Sequence, residues 1–416
     1  MKATLVTIVL LLAAACWNDL SSQTVRRVNL QEAIQLALDH NLSLRASSYA
    51  VDAQKALKGA SLDLPKMSVD GEYGQFNSSS SDNSYTISQS FAFPVFYLRQ
   101  NQLASAGIKS SEWQLKSSQS EVATQVKQTY WHLIYLYSKY KLWMYQDSLY
   151  SGFSRAAELR AREGETNRLE MITAKSQSLE IRNQLQQIKA DLGIFNRQLQ
   201  MLLNVDETIS PSDTLLKRID YSVANDSNLL HKNPSLGQIN QQLEIAVLER
   251  KLEGSRAWPD FKIGYFSQTM QGTQEVNGVP RTFGAGVRFT GVQAGIEIPV
   301  WFRPYASKVK AFKIKEQEAQ TRADYFSKSL KGKYQSLLDE FEKYGSSVTY
   351  YETQALPEAA VIIDQSIRSY KAGVLDYLDY VLSLGRALSI KQNYLEALNN
   401  YNQTVISIEF VTGKIF

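Results

Sequence analysis

A single cysteine, Cys16, is all the thiol chemistry that 416 residues hold. A mature protein without it forms no disulfide and no thiolate metal site. The three histidines, His40, His132 and His231, stand apart, with no carboxylate or second histidine at a repeating ligand spacing, so each reads as a structural residue on a helix. Phosphate-binding glycine loops are missing too, and with them any built-in use of nucleotide energy. With no catalytic constellation, the chain reads as a non-enzyme that carries no cofactor. The formal net charge is only +4, lysines and arginines are interspersed with acids, and no basic block marks a nucleic-acid partner. Beyond the N-terminus no apolar run approaches eighteen residues, which excludes an α-helical membrane span. No linker rich in proline, glycine or serine divides the chain, so residues 24–416 are expected to build one interlocked body.

Residues 1–23 are the exception to the mixed pattern. Lys2, a short apolar core and small residues make an export signal. Two processing routes fit it. Either cleavage falls near Ser21 to Gln23 and Cys16 is discarded, or the alanines before Cys16 form a lipoprotein-like site, with Ala13 standing where leucine is usual, and Cys16 is lipidated.

What the chain does have is a repeat. The run Phe91-Ala92-Phe93-Pro94-Val95-Phe96-Tyr97-Leu98-Arg99 returns as Gly295-Ile296-Glu297-Ile298-Pro299-Val300-Trp301-Phe302-Arg303. In both, an aromatic-rich alternating segment meets a proline, and a long helix-like segment follows, so each reads as a strand handing over to a helix. Asn41-Leu42-Ser43-Leu44 matches Asn233-Pro234-Ser235-Leu236, Pro65 matches Pro259, and Gly164 with Glu170 matches Gly373 with Asp379. The offset grows from 192 to 194, 205 and 209. The last step adds four residues to a helix, about one turn, which leaves its buried face nearly unchanged. Copy one spans about 41–204 and copy two about 233–413, with an irregular equatorial segment over 204–231 between them.

Each copy holds two strands, expected over 67–76, 85–94, 261–268 and 290–299. Val69 and Tyr73 alternate with Asp70 and Glu72, and Ile263 and Ile296 alternate with Lys262 and Glu297, the period-two pattern of a strand with one apolar and one polar face. Strands of about ten residues with such faces suit a transmembrane barrel whose lumen is wet. Four strands cannot close a barrel, and an open edge in lipid is prohibitive, so several chains must contribute; a conducting lumen favours twelve strands. Met270 to Pro280 reads as a turn-rich loop.

The helices balance around these strands. Arg99 to Arg162 covers roughly 95 Å at 1.5 Å per residue, and Gly164 ends it. The return, Asn167 to Leu203, carries a coiled-coil-like seam of Leu169, Ile172, Leu179, Leu185, Ile188, Leu192, Phe195, Leu199 and Leu202. Asn233 to Gly254 completes the way back. In the second copy Pro304 to Lys371 is the outward arm and Val374 to Val411 the return, with Leu378, Val381, Leu388, Leu395, Tyr401, Val405 and Ile408 on its inner stripe; Val28 to Gly59 supplies the missing upper piece.

On these junctions, on the two hairpin tips, on Ala355-Leu356-Pro357-Glu358-Ala359 and on the opening helix from Leu30, the sequence resembles the TolC-like outer-membrane efflux family. The resemblance implies a mixed α and β fold in which a homotrimer forms one twelve-stranded barrel in outer-membrane lipid and a long α-helical coiled-coil tunnel in the periplasm of a Gram-negative bacterium. It implies a passive exit duct, docked to a periplasmic adaptor protein and a proton-driven inner-membrane transporter, for efflux or for type I protein secretion. A periplasmic spacer that conducts nothing is the competing reading, and the charges on the membrane-length strands speak against it. The family's periplasmic constriction uses acids on the second tip, which by position selects Asp379. Its other acid is replaced by Leu382, so a partly apolar gate is implied, with Asp376 either compensating or merely starting a helix. Gly164, Glu170 and Gly373 complete the expected tips, and Pro65, Pro94, Pro259 and Pro299 the strand and helix junctions.

Overall fold

In the computed structural model, which describes residues 26–222 and 227–414, alternating and helix-period segments separate much as their patterns direct. The export signal and Cys16 lie outside the described residues. A short strand β1 (Arg26–Val28) precedes α1 (Leu30–His40) and α2 (Leu42–Lys58), so the single helix expected over 28–59 is a strand and two helices. Then come β2 (Ser68–Gly74), β3 (Asp82–Phe91), α3 (Pro94–Arg162), α4 (Arg168–Leu203), β4 (Ile209–Pro211) and α5 (Pro234–Ser255). The second copy runs β5 (Asp260–Thr269), β6 (Gly272–Val276), β7 (Val279–Phe283), β8 (Arg288–Glu297), α6 (Phe302–Tyr350), α7 (Leu356–Lys371) and α8 (Tyr377–Val411). No helix is long and apolar enough among the described residues to cross a membrane. Among the described residues two compact units result, one of Ser47–Lys116 with Pro234–Lys328, the other of the residues before Ser47, between Lys116 and Pro234, and after Lys328.

The first unit holds an antiparallel sheet in the order β2-β3-β5-β8. Its register gathers side chains by face, because directly paired residues share one. Val69, Ile87, Tyr265 and Val292 line up across all four strands, with Phe91, Phe261 and Ile296 beside them. Among the described residues most of this apolar face is left bare: Tyr73 is 81% exposed and Val292 76%. The other face carries Asp70, Glu72, Ser88, Lys262, Gln293 and Glu297. The strand bounds differ from expectation by a few residues. Pro94, which offers no N–H to a ladder, opens α3 instead of closing β3. Asp82, expected in the loop, starts β3 because its carboxylate accepts from Ser78 Oγ (2.7 Å), Thr269 Oγ1 (3.0 Å) and Gln271 N (2.9 Å). The loop expected over 270–280 is in fact a hairpin, β6 and β7, turned by Asn277 (φ 55°) and Gly278 (φ 77°), the left-handed pair that a tight two-residue hairpin demands.

In the second unit Val126, Tyr130, Leu133 and Ile134 of α3 pack on Ile34 of α1, Leu199 and Leu203 of α4 and Ile209 of β4. β1 pairs in parallel with β4, and the chain from Ile209 to Ser222 crosses the helices as a strap. Tyr130 Oη donates to Asp213 Oδ2 (3.0 Å), Tyr137 Oη and Ser210 Oγ are 3.1 Å apart, and Leu216 N donates to Ser138 Oγ (3.2 Å). Buried Asn402 acts as a strand edge for the strap, donating to Lys217 O (2.9 Å) and accepting from Ile219 N (3.0 Å).

The repeated asparagines explain how long helices stop and restart. Asn41 Oδ1 accepts from Ser43 N (2.9 Å), which starts α2, while its Nδ2 donates to Leu202 O (2.9 Å) at the end of α4. Asn233 repeats the move before α5: its Nδ2 donates to Phe410 O (3.2 Å) and Val411 O (3.0 Å) at the end of α8. Both capped helices end through a left-handed residue, Asn204 (φ 51°) and Gly413 (φ 73°). A Cβ on Gly413 would stand 2.6 Å from Lys232 O, so glycine is required there twice over.

The expected stripes need correction at their lower ends. Ile188, Leu192, Leu199 and Leu202 are buried, but nearer the tip α4 buries Ala174, Ser178 and Ile181 while Leu169, Ile172 and Leu179 stay exposed; on α8, Leu378 is exposed and Tyr377 and Tyr380 are inside. Small residues at Ala174 and Ser178 let neighbouring aromatics close in. The four-residue surplus of the second arm is not a helical turn either. The first arm is one helix of 69 residues, and the second spans 70, from Phe302 to Lys371. Three surplus residues, Pro299 to Trp301, lie before the helix, and the fourth falls where Tyr351–Ala355 widens into a π turn, just ahead of Pro357.

Removing a joint should therefore cost stability without touching the sheet. Asn233→Ala leaves the buried Val411 carbonyl without this donor, while Phe410 O keeps Gly413 N (3.1 Å), and should lower unfolding stability by about 1–3 kcal/mol; Gly413→Ala should cost a similar amount from strain and the Lys232 contact. Thermal unfolding followed by helical circular dichroism in detergent checks both; unchanged midpoints would remove the joints from the account.

Candidate functional site

The hairpin tips bring most of the sequence-selected residues together, and both are built the same way. Arg162 ends α3, Gly164 (φ 76°) follows, and Gly164 N and Glu165 N donate to Ala161 O (3.3 Å) and Arg160 O (2.8 Å). At the second tip Gly373 (φ 70°) does likewise, with Gly373 N and Val374 N donating to Tyr370 O (3.1 Å) and Ser369 O (3.0 Å). Both are helix ends that only glycine makes without strain. Three residues on, a side chain caps the return helix: Asn167 Oδ1 accepts from Glu170 N and Asp376 Oδ1 from Asp379 N, each at 2.8 Å. The six-residue spacing from glycine to acid is thus a turn followed by a capped helix start, with the acid in the first turn, where the helix dipole favours negative charge. Asp376 is the cap itself, which favours the helix-start reading of that residue.

The two acids nevertheless differ. Glu170 is turned inward, its side chain 18% exposed; Oε2 accepts from Thr166 Oγ1, and Oε1 lies 3.7 Å from the Arg160 guanidinium. Beside it Tyr377 is buried, and burial first, with the Glu170 charge next, pushes its phenol up to about 12. Phe153 and Tyr370 stand 4.6 Å from Tyr380, ring centre to ring centre, so the tips of one chain are locked by aromatic contact. Tyr377 and Tyr380 escape a sequence search because a tyrosine just past a cap reads as surface; their spacing from Tyr370 is the signal that could have found them. Asp379, in contrast, is exposed, and its carboxylate has no partner among the described residues. It shares its open face with Leu378 and Leu382, each 62% exposed. An acid flanked by bare leucines suits a contact with another copy or with an ion more than any bond-making chemistry. No group of three His, Cys, Asp or Glu among the described residues is placed to hold a metal.

The prolines fall elsewhere, around the sheet. Pro65 lies in the extended stretch before β2, Pro94 is the first residue of α3, Pro259 sits between α5 and β5, and Pro299 follows β8, three residues before α6 begins. Aromatic side chains gather with them: the Phe93 ring lies tilted 4.7 Å from Trp258 and 5.9 Å from Phe261, and Trp301 is 82% exposed. A belt of this kind is what the edge of a membrane barrel carries.

No protein-family model and no curated protein matches the chain. Solved structures do. The Campylobacter jejuni CmeC outer membrane channel matches 93% of this chain and 86% of its own, with a TM-score of 0.77 at 16% identity. The outer-membrane channel OprN matches 92% and 89%, with a TM-score of 0.78 at 14% identity. This is the fold of the outer-membrane channels. CusC, whose structures trace folding and transmembrane channel formation, matches 94% of this chain and 93% of its own, with a TM-score of 0.74 at 16% identity. Across nearly the whole length, then, the channel fold holds at an identity that leaves the particular residues of the tips to be judged on their own geometry.

The capping assignment is open to a direct check. Asp376→Ala should cost about 1 kcal/mol and loosen the second tip, while Asp376→Asn, which keeps the cap oxygen, should be nearly neutral. Proteolysis rates at the tip separate the two; equal rates would mean that the cap does not hold this turn.

Proposed function

We propose that the protein is the exit duct of an efflux machine in the outer membrane of a Gram-negative bacterium, a homotrimer that passes solutes from periplasm to exterior without chemistry of its own. The observation that carries this is the sheet: four strands, bare and apolar on one face, polar on the other, with β2 and β8 left as unpaired edges. Unpaired backbone groups cannot stand in hydrocarbon, and β8 of one chain would run antiparallel to β2 of the next, so three chains close twelve strands with no edge left. The likeness in fold to outer-membrane channels supports the same reading. Residues 1–23 serve as the export signal. Energy comes from a proton-driven transporter of the inner membrane, reached through a periplasmic adaptor that docks at the hairpin tips.

Within this reading Asp379 and Leu382 form the periplasmic gate. Three Asp379 carboxylates near the axis repel one another unless cations screen them, and the bare leucines beside them supply contacts that hold the resting tips together. Gly164 and Gly373 set the turns, and Glu170, tied to its own chain, stays out of the gate.

Two measurements test the proposal. Detergent-extracted protein should have about three times the chain mass, as twelve strands from four require; a stable monomer with its full β-signal would refute the duct. Asp379→Asn should weaken cation selectivity and periplasmic cation block in planar bilayers, with trimer assembly intact. Wild-type selectivity and block in the mutant would remove Asp379 from the gate, and protein that never conducts would favour a spacer.

A further inference from the structure

Helix α3 has two opposed faces at the level of the strap. Tyr130, Tyr137 and Ser138 hold the strap on one, joined by Lys141, whose Nζ donates to Thr214 O (3.3 Å). Two residues along an α-helix turn by about 200°, so Gln125, Gln128, Thr129 and His132 present the opposite face. With Phe195 and Gln198 of α4 and Gln403 of α8 they line an open recess of about 310 Å³. Gln403 Nε2 donates to Gln128 O (3.1 Å), but the side-chain amides of Gln125, Gln128 and Gln198 have no partner among the described residues. The His132 ring lies 4.3 Å from that of Phe195 and 5.5 Å from that of Tyr135. Burial holds the imidazole below its ordinary range and nearby Lys139 acts in the same sense, against opposing pulls from Asp191 and Asn399, so the ring is neutral at pH 7.

We propose that this recess is a contact point for solute in the wall of the duct, and that it takes neutral molecules that are flat on one face and both donate and accept hydrogen bonds. The inference rests on the exit-duct reading, because a strap cannot occupy a conducting lumen, which makes the strap face the outer wall and the recess face the inner one. Its chemistry follows from the lining. Amides donate and accept in equal measure, and Phe195 with a neutral imidazole gives a flat platform. Asp191 and Lys139 near His132 carry opposite charges, so the recess offers a charged solute of either sign no net countercharge for the water it sheds. The volume sits at the low end of ligand-sized clefts, roughly 300–1,000 Å³, enough for one ring with its substituents. A conducting path needs contacts weak enough to release what they hold, so affinity belongs in the millimolar range.

Planar-bilayer recordings with N-acetyl-L-tyrosinamide, a neutral aromatic amide, test this. Millimolar probe should interrupt the wild-type current, and the frequency of interruptions should fall about fivefold or more in a Gln125→Leu, Gln198→Leu double variant, which loses two hydrogen-bonding groups. Both side chains are exposed and unpaired, so the fold and the probe-free conductance should be unchanged. N-acetyl-L-tyrosine, with the same ring and a carboxylate, should interrupt neither protein. Open-channel current that the amide never interrupts, equal interruption of wild type and variant, or equal action of the carboxylate would overturn the recess and leave the duct standing. No current from the wild-type protein under any gating condition would overturn the duct, and the recess with it.

Discussion

Backbone groups that must find partners govern both compact units of this architecture. A helix that stops leaves carbonyls without donors, and a strand at a sheet edge leaves a whole row of groups bare. Inside one chain the first problem is solved: Asn41 and Asn233 each donate a side-chain amide to the end of a returning helix, and Asn204 and Gly413 turn the chain so that the last carbonyls are reached. The second problem is not solved among the described residues, since the outer edges of β2 and β8 stay unpaired. One chain is therefore complete as helices and incomplete as a sheet, and that imbalance is the physical argument behind the proposed trimer.

Much of this was legible in the residues because period and punctuation agreed. The alternations from Val69 to Tyr73 and around Ile263 and Ile296 announce strands, and a glycine six residues before an acid marks each tip. What escaped has identifiable causes. The β6–β7 hairpin was hidden in a polar stretch although Asn277-Gly278 is a strong turn signal. The lower seam of α4 misled because Leu169, Ile172 and Leu179 fit a heptad as well as the smaller residues that the aromatics require. Counting apolar residues cannot tell a face buried within one chain from a face kept for another.

The site was legible in part for a similar reason. Spacing located both acids, yet only coordinates separate inward Glu170 from open Asp379, since both occupy the same place in a capped first turn. His132 looked inert as an isolated histidine, and along the sequence it is. Its surroundings come from three helices, with Phe195 63 residues away and Gln403 farther still, a convergence that no local motif records.

The widened turn at Tyr351–Ala355 behaves like a dislocation in a crystal. It holds the one residue by which the second arm outgrows the first, and Tyr394, whose hydroxyl donates to Glu352 (3.1 Å), pins it to the neighbouring helix. An extra residue in an unbroken helix would rotate everything beyond it by about 100°. Confined to a single turn, the surplus leaves the helix above and the helix below in phase. The one surplus residue within the helix is thus absorbed at one place, and the residues beyond it keep their phase.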